Sequence, residues 1–341
     1  MKHVLIERPG KVILQDCEEP VLAQGQALLK ILYGGICGSD IGTYKGTFLY
    51  TQYPRIPGHE FSAEIVAVGE NPHGLKPGMV VTGNPYYNCG TCYSCRRGLV
   101  NCCTGNQTLG CQRDGVFQEY FAMPVERIYD GKGLSARLLT LVEPFCISYH
   151  AVKRARIQPG ERVLVVGAGT IGYLAAAAAR MLGANVYTSD ISRQKLAYTE
   201  RLGVAGTILN SGKEDFDRQV NALTHGDGFD VCIEAVGLPS TFMNCIDAAA
   251  YRGRVVVVGI GKVSLDFFYS IIQKKELDLF GSRNALREDF LELIDSANAH
   301  RIDLEGIISA EYSYLQAAEA FENAASRGGE LLKTVLRFGD H

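Results

Sequence analysis

The chain reads Val163-Leu-Val-Val-Gly167-Ala-Gly169-Thr-Ile-Gly172, a short apolar run that enters a G-x-G-x-x-G turn. An alanine-rich stretch from Ile171 to Leu182 follows it and has the composition of a buried helix. In a strand–turn–helix unit the first glycine permits the tight turn and the second lets the backbone approach a pyrophosphate. The third glycine lets the helix pack closely on the strand. The turn therefore predicts a dinucleotide held at the N-terminus of this helix.

A carboxylate at the end of the next strand bears on which dinucleotide is bound. The strand Val186–Ser189 leads into Asp190, 18 residues after Gly172. A carboxylate at this position accepts hydrogen bonds from the ribose 2′-hydroxyl and repels a 2′-phosphate, which favours NAD over NADP. Arg193 lies close by in sequence and would soften that preference. The alternative interpretation is a glycine-rich turn without a ligand.

Proline and strand patterns divide the chain into two kinds of sequence near residue 150. Nine of the 11 prolines lie at or before Pro144. This part predicts short strands separated by turns: Val12–Leu14, Ala27–Leu32, Phe61–Val68, Val80–Thr82 and Gln118–Ala122. Apolar strands alternate with helices after Ala151, as parallel βαβ units require, with strands at Val163–Val166, Val186–Ser189, Val231–Glu234 and Val255–Val258. We therefore predict an α/β protein with a β-rich domain over residues 1–150, followed by a doubly wound parallel sheet.

The last part of the chain predicts two amphipathic helices. Phe290, Leu293, Ile294 and Ala297 form one apolar stripe. Ser313 and Gln316 have the spacing of a capping box that would open the second helix. The inward residues of that helix are expected to be Ala318, Phe321 and Ala325.

Composition and charge exclude several classes of protein. Hydrophobic residues make up 47% and charged residues 21%, which is a globular balance and not that of a disordered chain. The formal net charge of −3 offers no basic surplus for nucleic acid. No apolar run reaches the roughly 18 residues of a membrane span. The segment from Met1 to Gly10 lacks the apolar core and cleavage site of a secretion signal, so we expect a cytoplasmic protein.

Five of the 11 cysteines lie between residues 89 and 103, which indicates a metal site. Cys89-x-x-Cys92-x-x-Cys95 followed by Cys103 can supply four thiolates to one tetrahedral zinc. A closed shell of four thiolates leaves no open coordination position, so this zinc would be structural.

For this lobe, residues 86–106, the sequence leaves the fourth metal ligand undecided and offers nucleic-acid binding as an alternative function. Cys102 stands beside Cys103 and leaves the fourth ligand ambiguous, with Cys111 a weaker candidate. A zinc ribbon that binds nucleic acid is disfavoured, because Arg96 and Arg97 are the only basic residues of the lobe.

A second set of possible metal ligands lies nearer the N-terminus. Cys37-Gly-Ser39-Asp40 and Gly58-His59-Glu60 supply a thiolate, an imidazole and carboxylates, the ligand types of an open catalytic zinc site. Only folding can bring Cys37 and His59 together, since 22 positions separate them. Glu143 is a further acidic candidate. The alternative for His59 is a hydrogen-bonded core histidine.

These segments together resemble the zinc-dependent medium-chain alcohol and polyol dehydrogenases over essentially the whole chain. The resemblance is carried by residues 36–40, 57–60, 89–103, 142–144, 167–172 and 234–237. It implies a GroES-like catalytic domain over residues 1–150 and a Rossmann NAD-binding domain over 151–284. The C-terminal segment, 285–341, would complete the catalytic domain.

The resemblance also implies roles for individual residues. Cys37, His59 and Glu60 would hold the catalytic zinc, with Glu143 as a neighbour that bonds its water or exchanges onto the metal, and Asp40 would orient His59. Ser39 would accept the substrate proton. Many relatives relay that proton through a histidine where this chain has Gly42. The route through Thr43, Tyr44, the ribose or water, or through Glu143, stays open.

The residues expected to contact the cofactor lie mostly in the second domain. They are Gly167, Gly169, Thr170, Ile171, Gly172, Asp190, Arg193, Lys195, Val236, Gly237, Val258, Gly259, Ser282, Arg283 and Lys333.

Within the family the chain looks most like the sorbitol-type branch, and closer still to bacterial L-galactonate or L-gulonate 5-dehydrogenases. Residues 143–150, 274–276 and 281–285 carry this likeness. Arg283 and Asn284 would hold a substrate carboxylate, because a guanidinium grips one in a bidentate fork. Arg283 is alternatively a surface or cofactor contact.

Other functions remain as alternatives. They are a neutral polyol (sorbitol, xylitol or butanediol) or threonine dehydrogenase, a zinc-free quinone or enone reductase, and a non-enzymatic scaffold that binds NAD and zinc. The expected partners are a small hydroxylated substrate and further copies of the chain, as a homotetramer or homodimer, with no nucleic acid or membrane.

Overall fold

The computed structural model describes residues 1–302 and 304–339. The strands are β1 Lys2–Arg8, β2 Lys11–Asp16, β3 Gln26–Ile36, β4 Glu60–Val68, β5 Val80–Gly83, β6 Tyr86–Tyr87, β7 Gln107–Thr108, β8 Tyr120–Pro124, β9 Ile128–Asp130, β10 Arg162–Val166, β11 Asn185–Asp190, β12 Gly206–Leu209, β13 Phe229–Glu234, β14 Ala249–Val257, β15 Asp278–Gly281, β16 Ile308–Ser313 and β17 Lys333–Arg337. The α-helices are α1 Gly38–Tyr44, α2 Tyr93–Arg96, α3 Ala136–Leu139, α4 Val142–Arg154, α5 Thr170–Met181, α6 Arg193–Arg201, α7 Lys213–Thr224, α8 Pro239–Ala248, α9 Ser270–Lys275, α10 Arg287–Asn298 and α11 Ala317–Ser326.

The chain divides into two compact units. The β-rich unit comprises Met1–Glu143 and the chain from Leu286 onward, and the parallel-sheet unit comprises Pro144–Ala285. The boundary expected after residue 150 falls instead near the start of α4. Local sequence does not mark this boundary, because the helix runs through it without a turn.

The β-rich unit is built on a seven-stranded sheet of order β16-β17-β3-β4-β5-β9, with β8 also paired to β3. The C-terminal strand β17 runs antiparallel to β3 and places Leu336 opposite Gly34. Phe61, Phe117 and Phe321 are fully buried in the core of this unit. Residues 304–339 therefore contribute two sheet strands and a core helix to the unit that begins the chain.

The parallel-sheet unit contains six strands in the order β12-β11-β10-β13-β14-β15. Every neighbouring pair is parallel, so the carboxyl ends of all six strands lie at one edge. Small side chains let α5 pack closely on the sheet, and Gly172–Ala179 are buried. The predicted α/β class with a doubly wound parallel sheet is confirmed.

The two amphipathic helices differ in how well their inward faces were predicted. Phe290, Leu293, Ile294 and Ala297 are all buried in α10. Ser313 caps a short 3₁₀ turn, Tyr314–Gln316, and α11 begins only at Ala317. Its buried residues are Ala317, Ala320 and Phe321, so the prediction was right for Phe321 and wrong for the exposed Ala318, while Ala325 is half-buried. The 3₁₀ turn delays the α-helix and thereby rotates its apolar face.

Within the described ranges, no helix combines the length and apolar character needed to cross a bilayer.

Candidate metal and cofactor sites

Cys37, His59 and Glu60 form a cluster that the pairing of two strands assembles. Cys37 follows β3 directly, and Glu60 is the first residue of the adjacent antiparallel strand β4, opposite Gly35. One ligand atom from each of the three residues lies within 4.8 Å of the others. His59 and Glu60 are buried and Cys37 is half-buried. The 21 residues between Cys37 and His59 therefore lead the chain back, so that the imidazole and the carboxylate lie beside the thiol.

Two glycines make room for this cluster. A Cβ at Gly35 would lie 2.1 Å from Glu60 Oε2, so the carboxylate occupies the space of a missing side chain. Gly58 adopts φ +99°, and a Cβ there would lie 2.2 Å from the Phe117 ring. Both positions require glycine for steric reasons, and Gly58 also requires it for its backbone conformation.

Asp40 holds together the two backbone segments that carry the cluster. Its Oδ2 accepts the Cys37 N–H at 2.9 Å, and its Oδ1 accepts the Gly58 N–H at 3.2 Å. Burial raises the pKa of Asp40, although His59 acts in the opposite direction. We expected Asp40 to orient the His59 ring, whereas both of its oxygens instead accept backbone N–H groups of residues at or beside the candidate ligands.

The chemistry of these side chains fits a zinc ion. The buried Nδ1 of His59 has no hydrogen-bond partner in the described part of the chain. Burial lowers the pKa of His59, but the charges of Cys37 and Asp40 raise it, and the net pKa lies well above its ordinary value. A thiolate, an imidazole and a carboxylate within one small buried volume match the ligand types of catalytic zinc sites.

Glu143 lies outside the three-residue cluster, and its charge raises the pKa of His59. The Tyr86 hydroxyl donates a hydrogen bond to Glu143 Oε1. Burial raises the pKa of Glu143 to about 7, and His59 acts in the opposite direction. Sequence reasoning missed Tyr86, and no local signal marks it, because 57 positions separate it from Glu143.

Lys333, which was predicted to contact the cofactor, lies in the β-rich unit. Its Nζ lies 2.7 Å from both carboxylate oxygens of Glu60 and 3.3 Å from the Ile36 carbonyl oxygen. Burial lowers the pKa of Lys333, but Glu60 and Cys37 raise it and the net pKa is raised. Lys333 therefore lies in the β-rich unit, with its ammonium paired to Glu60 of the metal cluster.

The hydroxyl groups predicted to carry a proton lie on α1. Ser39 Oγ is buried and has no hydrogen-bond partner among the described residues. Thr43 is also buried, and its Oγ1 lies 2.9 Å from the Oγ1 of Thr51. The Tyr53 hydroxyl donates to the Thr43 carbonyl oxygen. Thr43 is thus already paired with a second hydroxyl, whereas Ser39 Oγ retains its hydrogen-bonding capacity.

Four cysteines form a second cluster, and burial distinguishes Cys103 from Cys102. The sulfurs of Cys89, Cys92, Cys95 and Cys103 lie within 4.8 Å of one another. Cys103 is buried and Cys102 is exposed. Cys111 is buried but belongs to neither cluster, and burial raises its pKa to about 12.

Backbone N–H groups point at the sulfurs of this second cluster. The Cys89 N–H donates to Cys103 Sγ at 3.2 Å, and the Cys92 N–H donates to Cys89 Sγ at 3.3 Å. N–H groups of Thr91 and Cys92 lower the pKa of Cys89 to about 7. These N–H groups favour the thiolate form of Cys89, which is the form that binds zinc, whereas burial raises the pKa of Cys95 to about 11.

The glycine-rich turn of the parallel-sheet unit is sterically closed to larger residues. A Cβ at Gly172 would lie 1.7 Å from the Gly167 carbonyl oxygen, and Gly167 itself has φ +103°. Asp190 Oδ2 accepts the Ala168 N–H at 2.7 Å, while Oδ1 accepts the Ser192 N–H at 2.8 Å. Asp190 is thereby fixed beside the turn, and each oxygen keeps a lone pair for a ligand.

The other predicted cofactor residues in this unit lie at or just beyond the carboxyl edge of the same sheet. They follow the strands β10, β11, β13, β14 and β15: Gly169, Thr170, Ile171, Arg193, Lys195, Val236, Gly237, Val258, Gly259, Ser282 and Arg283. Asn284, which was predicted to contact the substrate, follows Arg283 directly. Glu234, which was not predicted, supports this edge. Its Oε1 accepts the N–H groups of Val236 and Gly237, both at 2.9 Å. Ligands of open α/β sheets bind outside the carboxyl ends of the strands, so these residues fit a dinucleotide.

Two long parts of the chain match known protein families. Residues 23–132 match the alcohol dehydrogenase GroES-like domain, and residues 170–299 match the zinc-binding dehydrogenase family. L-galactonate-5-dehydrogenase of Escherichia coli K12 is 37% identical over 339 residues, which are 99% of each chain. The chain belongs to the zinc-dependent medium-chain alcohol dehydrogenase family. This dehydrogenase is accordingly an oxidoreductase of the class that acts on CH–OH donors.

Solved structures similar to this dehydrogenase contain either form of the cofactor. An alcohol dehydrogenase of Escherichia coli CFT073, solved with NADH, has a TM-score of 0.90 and 29% identity over 99% of each chain. A Sinorhizobium meliloti 1021 protein described as a zinc-binding dehydrogenase, bound to NADP, has a TM-score of 0.90 and 28% identity over 99% of each chain. These similar structures thus bind a nicotinamide cofactor, and they differ in whether it is NADH or NADP.

Proposed function

We propose that this dehydrogenase oxidises a secondary hydroxyl group of a sugar acid of the L-galactonate type to a ketone, with NAD as hydride acceptor. The similarity to L-galactonate-5-dehydrogenase along 99% of both chains carries the substrate class. The buried cluster of Cys37, His59 and Glu60 supports the reaction class.

Cys37, His59 and Glu60 would hold the catalytic zinc, and Glu143 would stand beside it. Zinc bound there would supply Lewis-acid chemistry, lowering the pKa of a substrate hydroxyl so that it ionises near neutral pH. Cys89, Cys92, Cys95 and Cys103 would hold a structural zinc, since four thiolates leave no open position.

Residues of α1 would receive the proton that leaves the substrate. The unpartnered Ser39 Oγ is the proposed acceptor. The Thr43–Thr51 hydroxyl pair would extend a path from this helix, while Glu143 offers a second path through its bond to Tyr86. With Gly42 in the position where many relatives have a histidine, these two paths are proposed beside the route through Tyr44, the ribose or water.

The carboxyl edge of the parallel sheet would bind NAD. The N–H groups at the start of α5 would bind the pyrophosphate, and Gly167 and Gly172 would allow its close approach. Asp190, oriented by two backbone N–H groups, would accept the ribose hydroxyl and repel a 2′-phosphate. The exposed Arg193 at the start of α6 would limit this preference without reversing it.

Arg283 and Asn284 would bind the substrate carboxylate. Arg283 is exposed and follows β15, and Asn284 adopts φ +50°, which fixes the direction of the chain after the arginine. A guanidinium fork recognises a carboxylate through two parallel hydrogen bonds. Replacing Arg283 with Met should raise KM for a sugar acid far more than KM for a neutral polyol.

The test is NADH production by zinc-loaded protein across a matched set of substrates. L-galactonate and L-gulonate would be compared with sorbitol, xylitol, butanediol and threonine, with NAD and NADP in parallel. We expect the acids and NAD to give the highest kcat/KM. A preference for sorbitol or threonine would instead assign the protein to the neutral-polyol or threonine branch.

A second measurement tests the assignment of the metal residues. His59→Ala should abolish turnover and lose one zinc of about two per chain, while NADH still binds. Cys92→Ser should chiefly lower the melting temperature. Retained turnover in zinc-free His59→Ala protein would refute the catalytic role of the first cluster.

A further inference from the structure

Lys333 and Glu60 form a buried ion pair at the first metal cluster. The side chains of the two residues are 3% and 1% exposed. The ammonium lies 2.7 Å from each carboxylate oxygen and 3.3 Å from the carbonyl oxygen of Ile36, the residue before Cys37. Both residues lie on the central sheet, on β17 and β4, which each pair with β3.

This geometry uses the whole donor capacity of Lys333. An ammonium has three N–H donors, and three oxygens surround it here. A buried cation without such partners would be strongly destabilising, so the pair is held firmly in place. No side chain on β3 displaces Glu60, because residue 35 is glycine and the carboxylate fills the space beside it.

The ammonium therefore competes with a metal for the same two oxygens. Glu60 is also one of the three residues whose ligand atoms lie within 4.8 Å of one another. A carboxylate whose two oxygens both bond an ammonium has less electron density and less freedom to turn toward a second cation. The positive charge of Lys333 also opposes the positive charge of any metal bound at this cluster.

We propose that Lys333 is a positioning residue that restricts how Glu60 binds zinc and so keeps a coordination position open for the substrate hydroxyl. The inference rests on the proposed zinc at Cys37, His59 and Glu60. Lys333 acts through Glu60 and touches neither substrate nor cofactor in this scheme. Without the ammonium, Glu60 would turn both oxygens to the metal, bind it more tightly and close the open position.

The experiment follows zinc release to a chelator in the full-length zinc-loaded protein. The variants are Lys333→Met, Lys333→Arg and Lys132→Met, which breaks an exposed ion pair to Asp295 in the same unit. Zinc release from the four-cysteine cluster provides an internal reference for folding. Cobalt replacement at the first cluster reports coordination through its visible bands, which weaken when the coordination number rises above four.

We expect Lys333→Met to slow zinc release from the first cluster by at least about tenfold, because a neighbouring cation has been removed. Its cobalt bands should weaken, and kcat should fall. Lys333→Arg should restore release toward the wild-type rate, and Lys132→Met should not change it. In a Glu60→Gln background, Lys333→Met should have much less effect on release, since the carboxylate that it controls is gone.

Unchanged or faster zinc release in Lys333→Met, with the four-cysteine cluster intact, would overturn the inference. If that variant does not fold, Lys333→Gln removes the charge, keeps hydrogen-bond donors and carries the same expectation. A wild-type protein that holds zinc only in the four-cysteine cluster would refute the proposed metal site itself, which is a different result from a failure of Lys333 to control it.

Discussion

Asp40 illustrates how one side chain positions a site without being a ligand to it. Its two oxygens accept hydrogen bonds from the N–H groups of Cys37 and Gly58, and Gly58 lies 18 positions from Asp40 in the chain. Hydrogen bonds to a charged group are stronger than those between neutral groups, at about 1.5–3 kcal/mol. The distance between the thiol and the imidazole therefore depends on a carboxylate that contacts backbone only.

Replacing Asp40 with Asn should weaken the first metal cluster. The amide NH₂ would face one backbone N–H, so one of the two hydrogen bonds is lost and two donors oppose each other. We expect unfolding free energy to fall by about 2 kcal/mol and the first zinc to be lost. Urea unfolding and zinc content measure these effects.

The matched control is Asp114→Asn, since Asp114 also accepts a backbone N–H, from Ile56, but lies exposed. It should retain both zinc ions. Equal zinc loss in both variants would contradict a specific role for Asp40.

The turn between β10 and α5 shows how an element can depend on the absence of side chains. The Gly172 position lies against the Gly167 carbonyl oxygen, and α5 can approach β10 only because no Cβ intervenes. The same approach aims the N–H groups at the start of α5 toward the edge where Asp190 lies. The close packing of α5 on β10 and its proposed binding of NAD therefore both depend on the missing side chain at Gly172.

Gly172→Ala should impair the binding of NADH. A Cβ 1.7 Å from an oxygen must displace the turn or the helix. Such overpacking costs about 1–3 kcal/mol, and we expect the Kd of NADH, followed by its fluorescence, to rise about tenfold or more. Gly261→Ala is the control in the same unit, because a Cβ there meets no atom within 4 Å. Unchanged NADH binding in Gly172→Ala would refute this account.

The four-cysteine lobe is an element that a metal would hold together. Its only α-helix among the described residues, α2, has four residues and no buried side chain, so packing contributes little to its stability. Metal binding can supply such a loop with its folding free energy. The stability of the lobe should therefore follow its zinc content.

Cys103→Ser and Cys102→Ser form a matched pair of neighbouring substitutions. Cys103 belongs to the cluster and is buried, whereas Cys102 is exposed and outside it. We expect Cys103→Ser to lose one zinc and to lower the melting temperature by at least about 5 °C, and Cys102→Ser to change neither. Zinc loss in Cys102→Ser instead would mean that the cluster uses the other cysteine.

At the level of the whole molecule, the parallel sheet ends in two edge strands, β12 and β15, each of which has a partner strand on one side only in the described part of the chain. β15 pairs with β14 on one side, and in the described part of the chain no strand pairs with its other side. Leu279 on this strand is 39% exposed. Exposed edge strands tend to pair with other chains unless they are covered. We therefore propose that this edge contributes to a homodimer, alone or within a homotetramer.

Leu279→Arg should reduce the oligomer to a smaller species. An added charge on an edge strand opposes pairing with a second copy. Light scattering after size-exclusion chromatography would give the molar mass of both proteins. Val66→Arg is the control, because Val66 is 41% exposed on β4, which already pairs on both sides. A wild-type monomer would contradict the proposal outright.

Local patterns in the amino-acid chain were sufficient to predict the α/β class, the glycine-rich turn and the cysteine cluster, and the family was predicted from the resemblance of several motifs together. Each of these has a physical requirement that a few neighbouring residues meet: glycine where a Cβ cannot fit, cysteines at zinc spacing, and apolar strands alternating with helices. The helix α10 was predicted for the same reason, since its apolar stripe repeats within 12 residues.

Only the folded chain could reveal contacts between residues that are distant in sequence. Lys333 reaches Glu60 across 273 positions, and Tyr86 reaches Glu143 across 57. Burial, and not spacing, separates Cys103 from Cys102, and a 3₁₀ turn shifts the inward face of α11. Sheet pairing and side-chain packing determine these features, because they depend on which strands meet and what space remains between them.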